Sequence, residues 1–183
     1  MNLIHTNLGA LANVAESREN TRYAVTGVNL RFLPDGRYCA DATDTKILMR
    51  VEGPVVAPSD EYPEIPAMRD APDSAQGGLV PSKAWKEKMA QAQKLTKRNT
   101  MPTLQSVAVK FGANEVTMGC TNLESSPVDL MRLVEGRFPP VDAFIPKPGR
   151  LKELFSFDST MMTRLLEAFK GIAGNLDTGG AQV

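Results

Sequence analysis

Five cations share one face of a predicted helix. Counting about 100° per residue from Lys83, the side chains of Lys86, Lys94, Lys97 and Arg98 fall within about 60° of it, while Trp85, Met89 and Ala92 fall near the opposite side. A row of flexible cations on a helix anchored through its apolar side suits phosphate contact without base reading, because such groups neutralise charge and carry little geometric information. The same pattern also describes an ordinary solvated helix face. Glu87 is the one acid within the cationic arc, and Lys88 lies off it.

Catalytic chemistry has thinner support. Asp41, Asp44, Asp60 and Glu61 could be read as a metal site, which would make the chain a metal-dependent hydrolase using Asp41 and Asp44, but solvated carboxylates are ordinary at strand ends and in acidic crossing segments. His5 is the only histidine and has no partner identifiable from sequence, so a histidine base is not expected. Gly77-Gly78 lacks the lysine and spacing of a phosphate-binding loop. Cys39 and Cys120 are too few and too far apart for zinc or a disulfide framework; both are expected as free thiols in strands. Neither a cofactor nor a metal is expected, and the chain is not expected to be an enzyme.

The 183 residues, 42% of them hydrophobic, suffice for one sizeable domain plus a remainder. Formal net charge is zero, so any nucleic-acid contact must come from a local basic patch. No run approaches the roughly 20 apolar residues of a membrane span, and there is no signal-like start, so a cytoplasmic protein is expected.

The elements that must position these residues follow from periodicity. Met1 to Thr6 reads as a short strand, followed by a short helix capped by Thr6 or Asn7. Tyr23 to Phe32 reads as a strand with an irregularity near Gly27, Pro34-Asp35-Gly36 as a turn, and Arg37 to Thr43 and Lys46 to Glu52 as two more strands. Gly53 to Gly78 carries five prolines and reads as a crossing segment. The pattern then returns: a strand from Gly78 to Pro81, a cap at Ser82, a helix through Trp85 to Leu95, and strands at Thr103 to Phe111, Glu115 to Cys120 and Val128 to Val134. The letters return as well. Val28-Asn29-Leu30-Arg31-Phe32 matches Val107-Ala108-Val109-Lys110-Phe111 at a spacing of 79 residues, and Ala42-Thr43-Asp44 matches Cys120-Thr121-Asn122 at 78. Such regularity predicts two copies of one supersecondary unit packed into one domain. Beyond a proline-stiffened segment around Pro139, Pro140 and Pro146, Leu154 to Phe157 and Asp158 to Ala173 read as the strand and helix of a third copy. Its apolar stripe, Met161, Met162, Leu165, Leu166, Phe169 and Ile172, must find a surface, either a second copy of the chain or the first domain.

The stretch Val134-Glu135-Gly136-Arg137-Phe138-Pro139, closing in Ile145-Pro146, resembles the end of the middle domain of the bacterial DNA polymerase III beta subunit, the sliding clamp. Arg22-Tyr23-Ala24-Val25 with Gly27, and then Ala42-Thr43-Asp44, resemble further clamp stretches. The resemblance implies an α+β DNA-clamp fold: duplicated βαβββ units with helices on one face of antiparallel sheets. Residues 1–147 would form one clamp domain and 148–183 the beginning of another, incomplete. It further implies a processivity factor that contacts or encircles duplex DNA non-specifically and tethers DNA polymerase, with clamp-loader peptides as other partners and a homo-oligomer as its assembly. A clamp-like interaction module that does not encircle DNA is the alternative. On this reading Arg18, Arg22 and Tyr23 join Lys83, Lys86, Lys94, Lys97 and Arg98 in facing DNA, although turn chemistry and a strand-end aromatic describe those three equally. Val25, Thr43, Lys46, Leu48 and Pro146 fall at positions of the family's peptide cleft. Where clamps usually follow Ala-Thr-Asp with Gly-His-Arg, this chain has Thr45-Lys46-Ile47.

Overall fold

A computed structural model describes residues 1–15, 24–55, 62–97, 101–145 and 158–173. Among them, β1 (Asn2–His5), β2 (Gly27–Phe32), β3 (Arg37–Thr43), β4 (Leu48–Pro54), β5 (Gly77–Pro81), β6 (Ser106–Phe111), β7 (Glu115–Gly119) and β8 (Val128–Arg132) form two four-stranded antiparallel sheets. The helices are α1 (Ser82–Thr96), α2 (Ser159–Ala173) and a 3₁₀ helix over Thr6–Asn13, with shorter 3₁₀ turns at Pro66–Met68, Pro102–Gln105 and Val141–Ala143. The expected strand, helix and three strands therefore occur twice. Strand periodicity does not reveal which strand pairs with which, and the pairing crosses between units. The sheet orders are β1-β6-β7-β8 and β4-β3-β2-β5, so the first strand of each unit completes the sheet of the other.

Several boundaries differ from the sequence reading, each for a local reason. The first helix is 3₁₀, and its cap is His5, whose Nδ1 accepts the Asn7 N–H at 3.1 Å; Thr6 and Asn7 lie inside the helix. At α1, Pro81 occupies the cap position and makes no side-chain capping bond, so Ser82 is the first helical residue. β2 begins at Gly27, where a Cβ would meet Val80 O at 2.5 Å across the β2–β5 pairing. Three segments read as extended or irregular each take one 3₁₀ turn, Pro66–Met68, Pro102–Gln105, where the strand read from Thr103 begins only at Ser106, and Val141–Ala143. Proline sits comfortably in the first turn of a helix because its missing N–H has no partner there.

One core lies between the sheets and the helices. It joins Val28, Leu30 and Ala40 of one sheet with Val107, Val109 and Met118 of the other, and both with Trp85, Met89 and Ala92 of α1. Trp85 is fully buried and donates its indole N–H to Leu8 O at 2.8 Å, fixing α1 to the 3₁₀ helix. Phe32 and Phe111, equivalent residues of the two units, meet with ring centroids 5.9 Å apart. The crossing segment has a structural task of its own. Tyr62, Ile65 and Met68 cover Leu3 and Ala108 on the outer face of the β1–β6 sheet, and Gly119 lets Met68 Sδ approach where a Cβ would collide.

The apolar stripe of α2 divides. Met161, Leu165 and Ile172 pack against the core and Ala168 is fully buried, while Asn7 donates to Ile172 O at 3.2 Å. This half of the stripe meets the 3₁₀ helix Thr6–Asn13 and the core beneath it, one of the two kinds of surface expected for it. The other edge stays open, with Leu166 58% and Phe169 61% exposed. Met162, Leu166, Phe169 and Ala173 lie 77 residues after Trp85, Met89, Ala92 and Thr96, the buried face of α1. The side on which α1 rests on its sheets is thus, at Leu166 and Phe169, an exposed side of α2, with Met162 and Ala173 half-buried at its ends. The strand expected at Leu154 to Phe157 lies outside the described residues.

Candidate DNA face and peptide pocket

Lys83, Lys86, Lys94 and Lys97 are all exposed, and Trp85, Met89 and Ala92 are buried beneath them. The helical wheel therefore sorts α1 correctly. Lys88, off the arc, is buried: its ammonium donates to Pro127 O at 2.9 Å and Gln91 Oε1 at 3.0 Å and pairs with Asp129 at 2.8 Å, which ties α1 to β8. Lys86 donates to Asn13 Oδ1 at 3.0 Å. It shares a groove of about 430 Å³ with Lys170 of α2, lined also by Asn7, Asn13 and Gln93. The sequence reading did not place Lys170 on this face, because nothing in the α2 stripe indicates which neighbour α2 meets. Arg98, Arg18, Arg22 and Tyr23 lie outside the described residues.

The second site is built around a turn that the fold makes twice. After β3, Thr43 Oγ1 accepts the Thr45 N–H at 3.0 Å, and Asp44 Oδ1 accepts those of Lys46 and Ile47, both at 2.9 Å. In the second unit, Thr121 Oγ1 accepts the Leu123 N–H at 3.1 Å, and Asn122 Oδ1 accepts those of Glu124 and Ser125 at 3.1 and 2.8 Å. Thr45 and Leu123 both have left-handed backbone, φ +78° and +80°, which side chains other than glycine and asparagine rarely adopt. Since both copies carry it, this conformation belongs to the fold. Side-chain capping of the neighbouring amides holds it in each copy.

The first turn has a wall opposite it. Thr43, Thr45, Lys46, Ile47 and Leu48 face Pro139, Pro140, Val141 and Phe144 across an open cavity of about 300 Å³. Most of its lining is apolar, and Phe144 is 73% exposed at the rim. Of the residues assigned to a peptide cleft, Thr43, Lys46 and Leu48 come together here. Val25 does not line the cavity; it is fully buried, because its side chain fills interior space next to the start of β2. Pro146 lies outside the described residues. The wall residues were not foreseen, since prolines in a sequence mark an irregular path without saying which surface the path crosses.

The two carboxylates considered for a metal are each committed to arginine. Asp41 is fully buried. Its Oδ1 accepts from Arg50 Nε at 2.7 Å, and its Oδ2 from Arg31 Nη2 at 3.0 Å. Asp44, besides its turn bonds, pairs with Arg164 of α2 at 2.6 Å. Burial alone would raise the Asp44 pKa, but the Ile47 and Lys46 amides and Arg164 outweigh it and hold the carboxyl below its ordinary value. Guanidinium groups occupy the positions that a cation would need, and no group of three or more His, Cys, Asp or Glu suited to a metal occurs among the described residues. Asp60 and Glu61 lie outside them. His5 is structural: burial lowers its pKa despite contacts with Gln105 and Asn7, which suits the neutral Nδ1 acceptor of the helix cap. Among the described residues no helix is long and apolar enough to cross a membrane.

No protein-family model matches the sequence, and no curated protein matches it. Solved structures do. The sliding clamp of Caulobacter crescentus matches 80% of this chain at 21% identity and a TM-score of 0.50. The DNA polymerase III beta chain of Streptococcus pneumoniae matches 79% at 20% identity and a TM-score of 0.52, and the sliding clamp of Bacillus subtilis 80% at 19% and 0.51. The match takes in 35%, 33% and 33% of those chains respectively, so this chain spans about a third of the length of the structures it resembles. By its duplicated units, antiparallel sheets and helical layer, the chain has the fold of the bacterial DNA polymerase III beta sliding clamp.

Proposed function

We propose that this chain is a clamp-like processivity factor that holds DNA polymerase on duplex DNA and has no catalytic site of its own. The fold is the observation that carries the reading. Exposed Lys83, Lys86, Lys94 and Lys97 on α1 support phosphate contact, and Arg18, Arg22, Tyr23 and Arg98 belong to the same proposed face. With zero net charge overall, binding would depend on this patch and be weak, independent of sequence and sensitive to salt. The cavity between Thr43–Leu48 and Pro139–Phe144 suits a large apolar side chain on a short extended peptide, such as a polymerase or clamp-loader subunit could offer. In the proposed organisation residues 1–147 are one clamp domain, 148–183 open a further one, and the working form is a homo-oligomer.

The deciding experiment is a salt titration of binding to a labelled duplex, comparing the wild type with K86E/K94E. Each lost phosphate contact lowers the slope of log affinity against log salt by about 0.9, so the double variant should bind more weakly and with a flatter salt dependence. Unchanged affinity and slope would remove α1 from the DNA face. Retention on nicked circular DNA, with loss on linearisation, would mark an encircling ring; equal retention on both would mark an interaction module.

A further inference from the structure

The pocket's second wall is tied by an ion cluster to the sheet that carries its first. Asp142 sits in the 3₁₀ turn Val141–Ala143, between the lining residues Val141 and Phe144. Its Oδ1 meets Arg50 Nη2 at 2.6 Å, and its Oδ2 lies 3.9 Å from Arg31 Nη1. Arg50 in β4 and Arg31 in β2 are in turn anchored on the fully buried carboxylate of Asp41 in β3, at 2.7 and 3.0 Å. Two guanidinium groups thus stand between Asp41 in the sheet interior and Asp142 on the wall, and Glu52 of β4 lies 3.8 Å from Arg50 Nη1 beside them. Burial of the Val141 side chain and partial burial of Pro139 also seat this segment. Next to it, Pro139, Pro140 and Phe144 offer only apolar side chains.

We propose that Asp142 is a positioning residue for the pocket: through Arg50 and Arg31 it clasps the Pro139–Phe144 wall onto the sheet and so sets the pocket's affinity for an apolar peptide side chain. The clasp rests on the peptide-pocket reading for its purpose, though not for its geometry. Asp142 is 66% exposed at its side chain and Arg50 19%, so the outer half of the cluster can open while Asp41 keeps the inner half in place. A wall that is seated for only part of the time lowers apparent affinity by the fraction seated.

The test compares wild type, Asp142→Asn and Asp142→Glu in the full chain. Hydrogen–deuterium exchange over residues 139–145 reads the wall, and fluorescence anisotropy of a labelled hexapeptide carrying adjacent leucine and phenylalanine reads the pocket. Asp142→Asn should lose protection in that segment alone, keep the wild-type melting temperature to within a degree or two, and bind the hexapeptide about tenfold more weakly, as expected if the wall is seated about a tenth of the time. Asp142→Glu should recover both readouts. Unchanged protection in Asp142→Asn overturns the clasp, whatever the peptide does. Lost protection with unchanged peptide affinity overturns the clasp's role in binding. If the wild type and Leu48→Ser bind the hexapeptide equally, or neither binds, the peptide-pocket reading fails and with it the clasp's control of affinity, while the exchange data still decide whether Asp142 seats the wall.

Discussion

Replacing Arg164 by methionine removes the one guanidinium that joins α2 to the pocket turn and keeps most of the apolar stem. Arg164 Nη1 pairs with Asp44 Oδ2 at 2.6 Å, and Nη2 donates to Asn13 O at 3.2 Å and Val14 O at 3.4 Å. Breaking a fully buried pair costs about 3–5 kcal/mol, and an exposed pair is worth about 0–1. This pair lies between those limits, with the Asp44 side chain 6% exposed and that of Arg164 36%. Asp44 also keeps the Lys46 and Ile47 amides after the substitution, so its charge is not left bare. A loss of about 1.5–2.5 kcal/mol follows, from the charged hydrogen bond and the two carbonyl contacts. The direction of the pH dependence is fixed as well. The Asp44 carboxyl is held below its ordinary value, so its share of stability is present above the unfolded pKa of about 3.9 and is lost as pH falls through the folded one. Urea unfolding at neutral pH and below about pH 4 measures both, with Asp44→Asn completing a double-mutant cycle. Equal stability of wild type and R164M at neutral pH would mean that Arg164 does not hold α2, and a gap that does not narrow in acid would mean that the Asp44 charge is not what Arg164 acts through.

Three further outcomes are expected. Because burial depresses the His5 pKa and its Nδ1 must accept the Asn7 N–H, its contribution is complete above the unfolded value of about 6.5 and falls away below it. His5→Asn, which can cap without titrating, should flatten the change in urea midpoint between about pH 8 and pH 5, and an equal fall in both proteins would locate the titration elsewhere. Gly119→Ala should cost about 1–3 kcal/mol by overpacking against Met68, and adding Met68→Ala should cost less than the two changes summed; strict additivity would separate the sites. Cys39 and Cys120 are free and buried, and burial raises both thiols, so neither should react with a thiol reagent until urea unfolds the chain; an intramolecular disulfide by mass spectrometry would contradict this.

What could be read in advance depended on whether a residue's task is local. β3 from Arg37 to Thr43 follows directly from alternation, and the cationic face of α1 follows from the angle between Lys83 and Trp85. The His5 cap was missed because histidine is an unusual capping residue, and only the fold brings Gln105 beside it. The exchange of β1 and β5 was invisible because a period of two says which face of a strand is buried and nothing about its neighbour. The same limit hid the pocket wall. Asp142 reads as one acid in a proline-rich stretch until Arg50 and Arg31 converge on it from two strands.

The exchanged first strands also give the chain an unequal schedule during synthesis from its N-terminus. β2, β3 and β4 acquire their last partner as soon as β5 is made, so that sheet closes once residue 81 is available. β1 precedes β2 in the chain yet pairs with Ser106–Val109, so Asn2–His5 must wait for about a hundred more residues. Until then Leu3 and Ile4, both buried in the finished fold, have no sheet to join. Of the described strands β1 therefore waits longest for its partner, and a chaperone that binds apolar segments of nascent chains would find a substrate there.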